Sequence, residues 1–251
     1  SDFIARTPVV NRAVYDKARQ EVMAKTHGHY PAPLAAIDVI REGVSLPLPR
    51  ALEVEAEAFS ELVVLDSSKN LMNLFFMKTD VESRAAKLGK GARNVAQIGV
   101  LGAGFMGSGI AQVLADKDYA VVLKDTKPDA VGRGLKHCRS LFQKRVDQRR
   151  MRPMDLTLKM SHIRPAIDYE GFKALDMVIE AVFEDKKVKH VVFGELDAAA
   201  SKNVIIASNT STIPIAELAE GAKHPENVVG MHFFSPVHKM PLLEVIRHPK
   251  T

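Results

Sequence analysis

Apolar and polar positions divide this chain into two patterns. Up to about residue 90, apolar residues recur three or four apart. Val14, Ala18, Val22 and Met23 share one face, and Leu34, Ile37 and Ile40 form a second stripe closed by Gly43. That period predicts amphipathic helices. Pro47 and Pro49 read as a connector that forbids a continuing helix, with further helices over 52–65 and 67–77, the latter carrying Leu71, Leu74 and Phe75. His27 and His29 flank a glycine, a loop pattern, and no part of the chain reads as a metal site. The basic, glycine-bearing stretch 86–93 reads as a linker.

From Val95 onward, short apolar runs at 95–101, 119–123, 176–182, 204–207, 228–231 and 242–246 alternate with helical patterns. One of these helices, 186–200, is expected to turn Val188, Val191, Val192 and Leu196 inward, and 214–219 is a short helix. Runs that are apolar throughout suit parallel strands covered on both faces. The fold class is therefore α/β: a doubly wound, Rossmann-type sheet with ligands at the carboxyl ends of its strands, preceded by a helical segment.

The first strand leads into Gly102, Gly104 and Gly107, and a helix follows with Met106, Ile110, Val113 and Leu114 on one face. In this G-x-G-x-x-G spacing, the first glycine allows a tight turn and the second a close approach to a pyrophosphate. The third lets helix pack on strand. An ordinary glycine-rich turn has the same letters. Asp125, 23 residues beyond Gly102 at the end of the next apolar run, shifts the balance. It is near the usual spacing of about 20 for a carboxylate that bonds the adenosine ribose and repels a 2′-phosphate, which favours NAD over NADP. A solvated or helix-capping Asp is the plainer alternative.

Composition narrows the setting. At 251 residues and 46% hydrophobic, the chain has enough material for a core and a smaller appendage. The single cysteine, Cys138, excludes an internal disulfide framework. No apolar stretch approaches bilayer length, and Ser1 begins no charged-then-apolar leader. A cytoplasmic protein is expected. The net charge of +5 is modest, but residues 130–152 concentrate cations, among them Arg133, Lys136 and Arg139. Val131, Leu135, Cys138, Phe142 and Val146 fall at helical spacing beneath them. The region reads as one amphipathic helix whose basic face is either simply solvated or a dock for a polyanionic ligand such as a nucleotide-bearing thioester. Nucleic acid is not expected as a partner, because aromatic interleaving is absent.

Three polar clusters close strands: Val182-Phe-Glu184 with Lys189 a turn later, Ser208-Asn-Thr-Ser-Thr212, and His232 through Ser235, with Glu244 in the next run. Each has an ordinary structural reading. Ser208 to Thr212 suits a helix cap, Glu184 a first-turn acid, and His232 a satisfied core histidine. Glu244, set among Leu242, Leu243, Val245 and Ile246, is expected to be buried and so to need a partner. His232 supplies one if their strands pair, and a carboxylate so placed fixes the imidazole tautomer for general-base work.

Gly102-Ala-Gly-Phe-Met-Gly107, Val178-Ile-Glu-Ala-Val-Phe-Glu184, Ser208-Asn-Thr-Ser211, His232-Phe-Phe-Ser-Pro236 and Leu243-Glu-Val245 together resemble the ordered signatures of L-3-hydroxyacyl-CoA dehydrogenases. Residues 1–90 resemble the helical tail of a crotonase-like hydratase domain plus a linker helix, as in the multifunctional α subunits of fatty acid β-oxidation. Residues 91–251 resemble the NAD-binding domain of the dehydrogenase. The resemblance implies NAD as cofactor, an acyl-CoA substrate, a thiolase subunit as partner, and a bacterial cytoplasm (or, in a eukaryote, mitochondrial matrix or peroxisome). It implies His232 as base, Glu244 as its partner and Ser211 as a hydrogen-bond donor to the reacting oxygen. Gly102, Gly104, Phe105, Met106, Gly107, Asp125, Val182, Phe183, Glu184, Lys189, Asn209, Ser211 and Ser235 would contact NAD, and Arg133, Lys136 and Arg139 the CoA. The family continues into a helical C-terminal domain with a substrate-contacting asparagine, and the hydratase glutamates lie upstream. A fragment truncated at both ends is implied. A dehydrogenase of hydroxyacids without CoA, and a cofactor-binding scaffold without turnover, stay open as alternatives.

Overall fold

The structure, a computed structural model, describes residues 8–251 and divides after Ala92 into two compact units. The reading of Ser1 lies outside the described residues.

The first unit is helical: α1 (Pro8–Thr26), α2 (Pro31–Gly43), α3 (Leu48–Val63) and α4 (Asp66–Leu88). An Arg19–Asp38 ion pair at 2.9 Å ties α1 to α2. Two boundaries differ from the periodicity. Pro49 does not interrupt helix; it sits in the first turn of α3, where a missing N–H costs nothing. α4 continues eleven residues past Met77, into the segment expected to be linker. Its charged stretch carries an i,i+4 pair, Lys78–Glu82, which supports helix without an apolar stripe. Leu74, Phe75 and Phe76 stay exposed.

The second unit, Arg93–Thr251, is a seven-stranded sheet in the order β3-β2-β1-β4-β5-β6-β7. Its strands are β1 (Gln97–Leu101), β2 (Ala120–Lys124), β3 (Ile163–Ala166), β4 (Met177–Glu180), β5 (Ile205–Ser208), β6 (Val228–Phe233) and β7 (Leu243–Ile246). The first six run parallel and β7 antiparallel. One face carries α5 (Phe105–Asp116), α6 (Pro128–Asp147) and α7 (Pro153–Ser161), packed through Ile110, Phe142 and Leu156 on Val100, Leu123 and Ile179. The other carries α8 (Lys186–Ala199) and α9 (Ile215–Ala219), packed through Phe193, Leu196 and Leu218 on Val178, Ile206 and Val228. Strand order reverses between β1 and β4, where open sheets of this kind form a crevice.

Three expectations are corrected. The cationic helix ends at Asp147, because Arg149 takes a positive φ of 58° and the chain turns; Arg152 then pairs with Asp155 in the next helix. α7 and β3 were not anticipated. β3 is an edge strand whose middle residues, Arg164 and Pro165, are exposed, so it lacks an apolar run. In α8 the inward face is Lys189, Phe193 and Leu196, while Val188 and Val191 face solvent.

Candidate active site

The glycine turn occupies the crevice. Gly102 has φ +92°, and a Cβ there would lie 2.5 Å from the Ala181 carbonyl oxygen. A Cβ on Gly107 would stand 1.8 Å from the Gly102 oxygen, so α5 meets β1 more closely than any side chain permits. Gly104 is different. It precedes α5 without a capping side chain, and a Cβ there would meet nothing within 4 Å. The first-turn amides of α5, including those of Phe105 and Met106, therefore open onto free space, the arrangement that receives a phosphate. Phe105 is exposed and Met106 half-buried. Asp125 closes one side: its Oδ2 accepts from Ala103 N at 2.8 Å and its Oδ1 from Thr126 N at 2.7 Å. It caps no helix, since Lys127 is the residue preceding α6.

Across the crevice lies a buried charge network. Glu180, the last residue of β4, is 0% exposed, and Lys189 of α8 is 1% exposed. The Lys189 ammonium donates to Glu180 Oε1 at 2.7 Å and pairs with Glu184 Oε2 at 3.1 Å. Glu180 also accepts from Val182 N at 2.8 Å and from the Ser208 hydroxyl at 2.6 Å. Glu184 is not a first-turn acid; Asp185 caps α8, and Glu184 reaches over to the 210–212 loop. Its Oε1 accepts from the Thr210 hydroxyl at 2.6 Å, Ser211 N at 3.0 Å and Thr212 N at 3.3 Å. Nor do the hydroxyls of that loop cap α9, which starts behind Pro214 without a side-chain cap. Glu180 is the residue that periodicity missed. The available signal was a carboxylate ending an apolar strand, with a lysine nine residues on.

Burial of Glu184 works against ionisation, but the Thr210 hydroxyl, the Lys189 ammonium and the Ser211 amide outweigh it and hold its pKa at about 2. Stability from this group is complete above the unfolded carboxylate pKa of about 4.3 and is lost as pH falls toward the folded value. Glu184→Gln should therefore lower the denaturant midpoint most above about pH 5, with the gap to the unaltered protein narrowing toward about pH 3. A gap independent of pH would contradict this.

β6 and β7 pair antiparallel with His232 directly opposite Glu244. The imidazole Nδ1 lies 2.7 Å from Glu244 Oε2. An ionised carboxylate only accepts, so in a neutral ring this contact calls for the tautomer with its proton on Nδ1 and the lone pair on Nε2. The ring also packs at 4.7 Å against that of Phe234. Burial of Glu244 is not found: its side chain is 49% exposed, against 22% for His232. β7 is an edge strand with Val245 and Ile246 also exposed, so flanking apolar residues do not enclose the carboxylate. Asn209 Oδ1 accepts from Phe233 N at 2.9 Å and ties the 209–212 loop to the histidine strand.

His232, Ser211 and the glycine turn all lie at the carboxyl edge of the parallel strands. Val182 is half-buried there, and Phe183, Ser211 and Ser235 are exposed. Arg133, Lys136 and Arg139 are exposed on α6 but are not drawn into this cluster. α6 starts just beyond β2, so each successive turn carries them about 5.4 Å further along its axis.

Residues 97–251 match the family described as 3-hydroxyacyl-CoA dehydrogenase, NAD binding domain. The chain is 42% identical over 251 residues to a fatty acid oxidation complex subunit alpha from Acinetobacter baumannii (strain AYE), and 41% identical over 239 residues to one from Shewanella baltica. It covers 35% and 34% of them, so it spans about a third of the curated relatives it matches. Among solved structures, it resembles an (S)-3-hydroxybutyryl-CoA dehydrogenase from Ralstonia eutropha with TM-score 0.61 and 36% identity, over 63% of this chain and 56% of that one. A 3-hydroxybutyryl-CoA dehydrogenase from Escherichia coli matches at TM-score 0.61 and 33% identity, over 63% and 34%. The glycine cradle, the sheet order and the match across most of the chain agree: the chain belongs to the 3-hydroxyacyl-CoA dehydrogenase family, as its NAD-binding domain with a helical segment ahead of it.

Proposed function

We propose that this chain serves the NAD-dependent oxidation of L-3-hydroxyacyl-CoA to 3-ketoacyl-CoA as part of a longer, multifunctional protein. The observation that carries the reading is the His232–Glu244 pair at the same sheet edge as an open, uncapped helix N-terminus. The cradle fits a dinucleotide, since Gly104 leaves room where a pyrophosphate must approach. The amides of Gly104, Phe105, Met106 and Gly107 would hold it and Asp125 its adenosine ribose. Val182, Phe183, Glu184, Lys189, Asn209, Ser211 and Ser235 would line the rest.

NAD held in this cradle would supply the acceptor for the hydride leaving C3 of the substrate. His232 Nε2 takes the proton of the 3-hydroxyl, so that the C–O bond becomes a carbonyl as C–H and O–H are lost. Glu244 stabilises the imidazolium that results. The Ser211 hydroxyl donates to the reacting oxygen. Arg133, Lys136 and Arg139 offer positive charge to the nucleotide end of CoA. Residues 1–90 form the tail of a crotonase-like domain with a linker helix, and 91–251 the dinucleotide domain. Support comes from the length of the relatives and from their name, subunit alpha of a fatty acid oxidation complex; the partner subunit of this proposal is a thiolase and its setting the bacterial cytoplasm.

Kinetics of the full-length protein test the reading. It should reduce NAD+ with an L-3-hydroxyacyl-CoA, turn over the free 3-hydroxy acid poorly, and prefer NAD+ to NADP+ because Asp125 repels a 2′-phosphate. Absence of thioester oxidation, or equal use of the two nucleotides, would overturn it.

A further inference from the structure

Glu180 has no part in the chemistry above, yet it is fully buried at the centre of the crevice. It stands in register with Leu101, which leads into the glycine turn, and with Ser208, which leads into the Ser211 loop. Its oxygens accept three hydrogen bonds and donate none, the pattern of an ionised carboxylate. One ammonium, that of Lys189, lies between Glu180 at 2.7 Å and Glu184 at 3.1 Å. Two carboxylates and one ammonium leave one uncompensated negative charge. That charge is coupled to the reacting end of the site, through Ser211 N on Glu184 and through Asn209 Oδ1 to the strand of His232.

We infer that Glu180 is a positioning residue: by engaging Lys189 it leaves Glu184 with a net negative charge that shifts the affinity of the site toward oxidised nicotinamide. The inference rests on the dinucleotide reading above. An oxidised nicotinamide ring carries a positive charge and a reduced one carries none, so the excess negative charge stabilises only the former. Lys189 and Glu180 are both buried and offset each other, so the remaining negative charge rests on Glu184, which is only partly exposed and so only partly screened by salt.

Glu180→Gln removes the charge while keeping the shape, and the Ser208 hydroxyl can rotate to accept from the new amide. In the full-length protein, NADH is titrated by its fluorescence and NAD+ by displacement. The ratio Kd(NAD+)/Kd(NADH) should rise roughly tenfold, the order expected when one unit of negative charge is lost from a site with an effective dielectric constant of about 20. Glu180→Asp, which retains the charge, should hold the ratio near its original value even where both affinities fall. If Glu180→Gln is not recovered folded, Glu184→Gln makes the same change of charge at a partly exposed position and should shift the ratio the same way. An unmoved ratio, or equal weakening of both nucleotides, overturns the inference alone. Failure of the unaltered protein to bind either nucleotide overturns the dinucleotide reading, and the inference with it.

Discussion

His232→Ala should lower kcat for L-3-hydroxyacyl-CoA oxidation by about a hundred- to ten-thousandfold, the range that a general base contributes. Affinity for NADH should barely change, because the ring engages Glu244 and Phe234 rather than the glycine turn. Glu244→Gln should act in the same direction but more weakly. An amide at this position can donate to Nδ1 as well as accept from it, so the tautomer with a free Nε2 is no longer enforced. Its effect is moderated because half of the Glu244 side chain is exposed and water can partly take its place. Steady-state rates and NADH titration on the same preparations separate the two quantities. A His232→Ala protein with full turnover, or one that loses nucleotide binding in proportion to rate, would remove His232 from the base role.

Gly107→Ala should destabilise the protein by ~3 kcal/mol or more, a fall of about 6–12 °C in Tm for a domain of this size. The new methyl would meet the Gly102 carbonyl at 1.8 Å, and both atoms belong to backbone held by neighbouring elements, so neither can move aside. Nucleotide binding should fail with it. Gly104→Ala is the informative contrast. Its methyl meets nothing in the protein, so Tm should stay within about 2 °C of the original while affinity for NADH drops at least tenfold. Thermal melting and titration of the two variants check this. Unchanged binding in Gly104→Ala would mean that no phosphate approaches that face.

The parts of the fold that could be read from the chain are those where both strand faces are covered. β1, β2, β4 and β5 are apolar except at their ends because helices pack on each side of them, and the glycine spacing marks the place where α5 comes closest to β1. Edges are harder. β3 exposes Arg164 and Pro165, so nothing in its letters separates it from a loop. At the opposite edge, β7 looks like a core strand by composition yet exposes Val245 and Ile246, which is why Glu244 was expected to be buried and is not. The pairing of Glu244 with His232 depended only on register, which spacing could suggest. Glu180 stayed hidden for another reason: its partners come from β5 and α8, and their convergence is a property of the sheet order rather than of any local pattern.

Because the His232–Glu244 contact is made across two neighbouring antiparallel strands, chain length around it can change in one place and not in another. Phe234 packs on the imidazole and Val237 is buried, but the exposed stretch from His238 to Leu242 bridges toward β7 without such contacts, so a residue gained or lost there can be absorbed as slack. A single insertion between Leu243 and Glu244 has the opposite consequence. It would turn the carboxylate to the far side of the sheet and set the inserted residue opposite the imidazole. Variation in this region should therefore collect as insertions and deletions in the bridge, with none tolerated in the four residues after it.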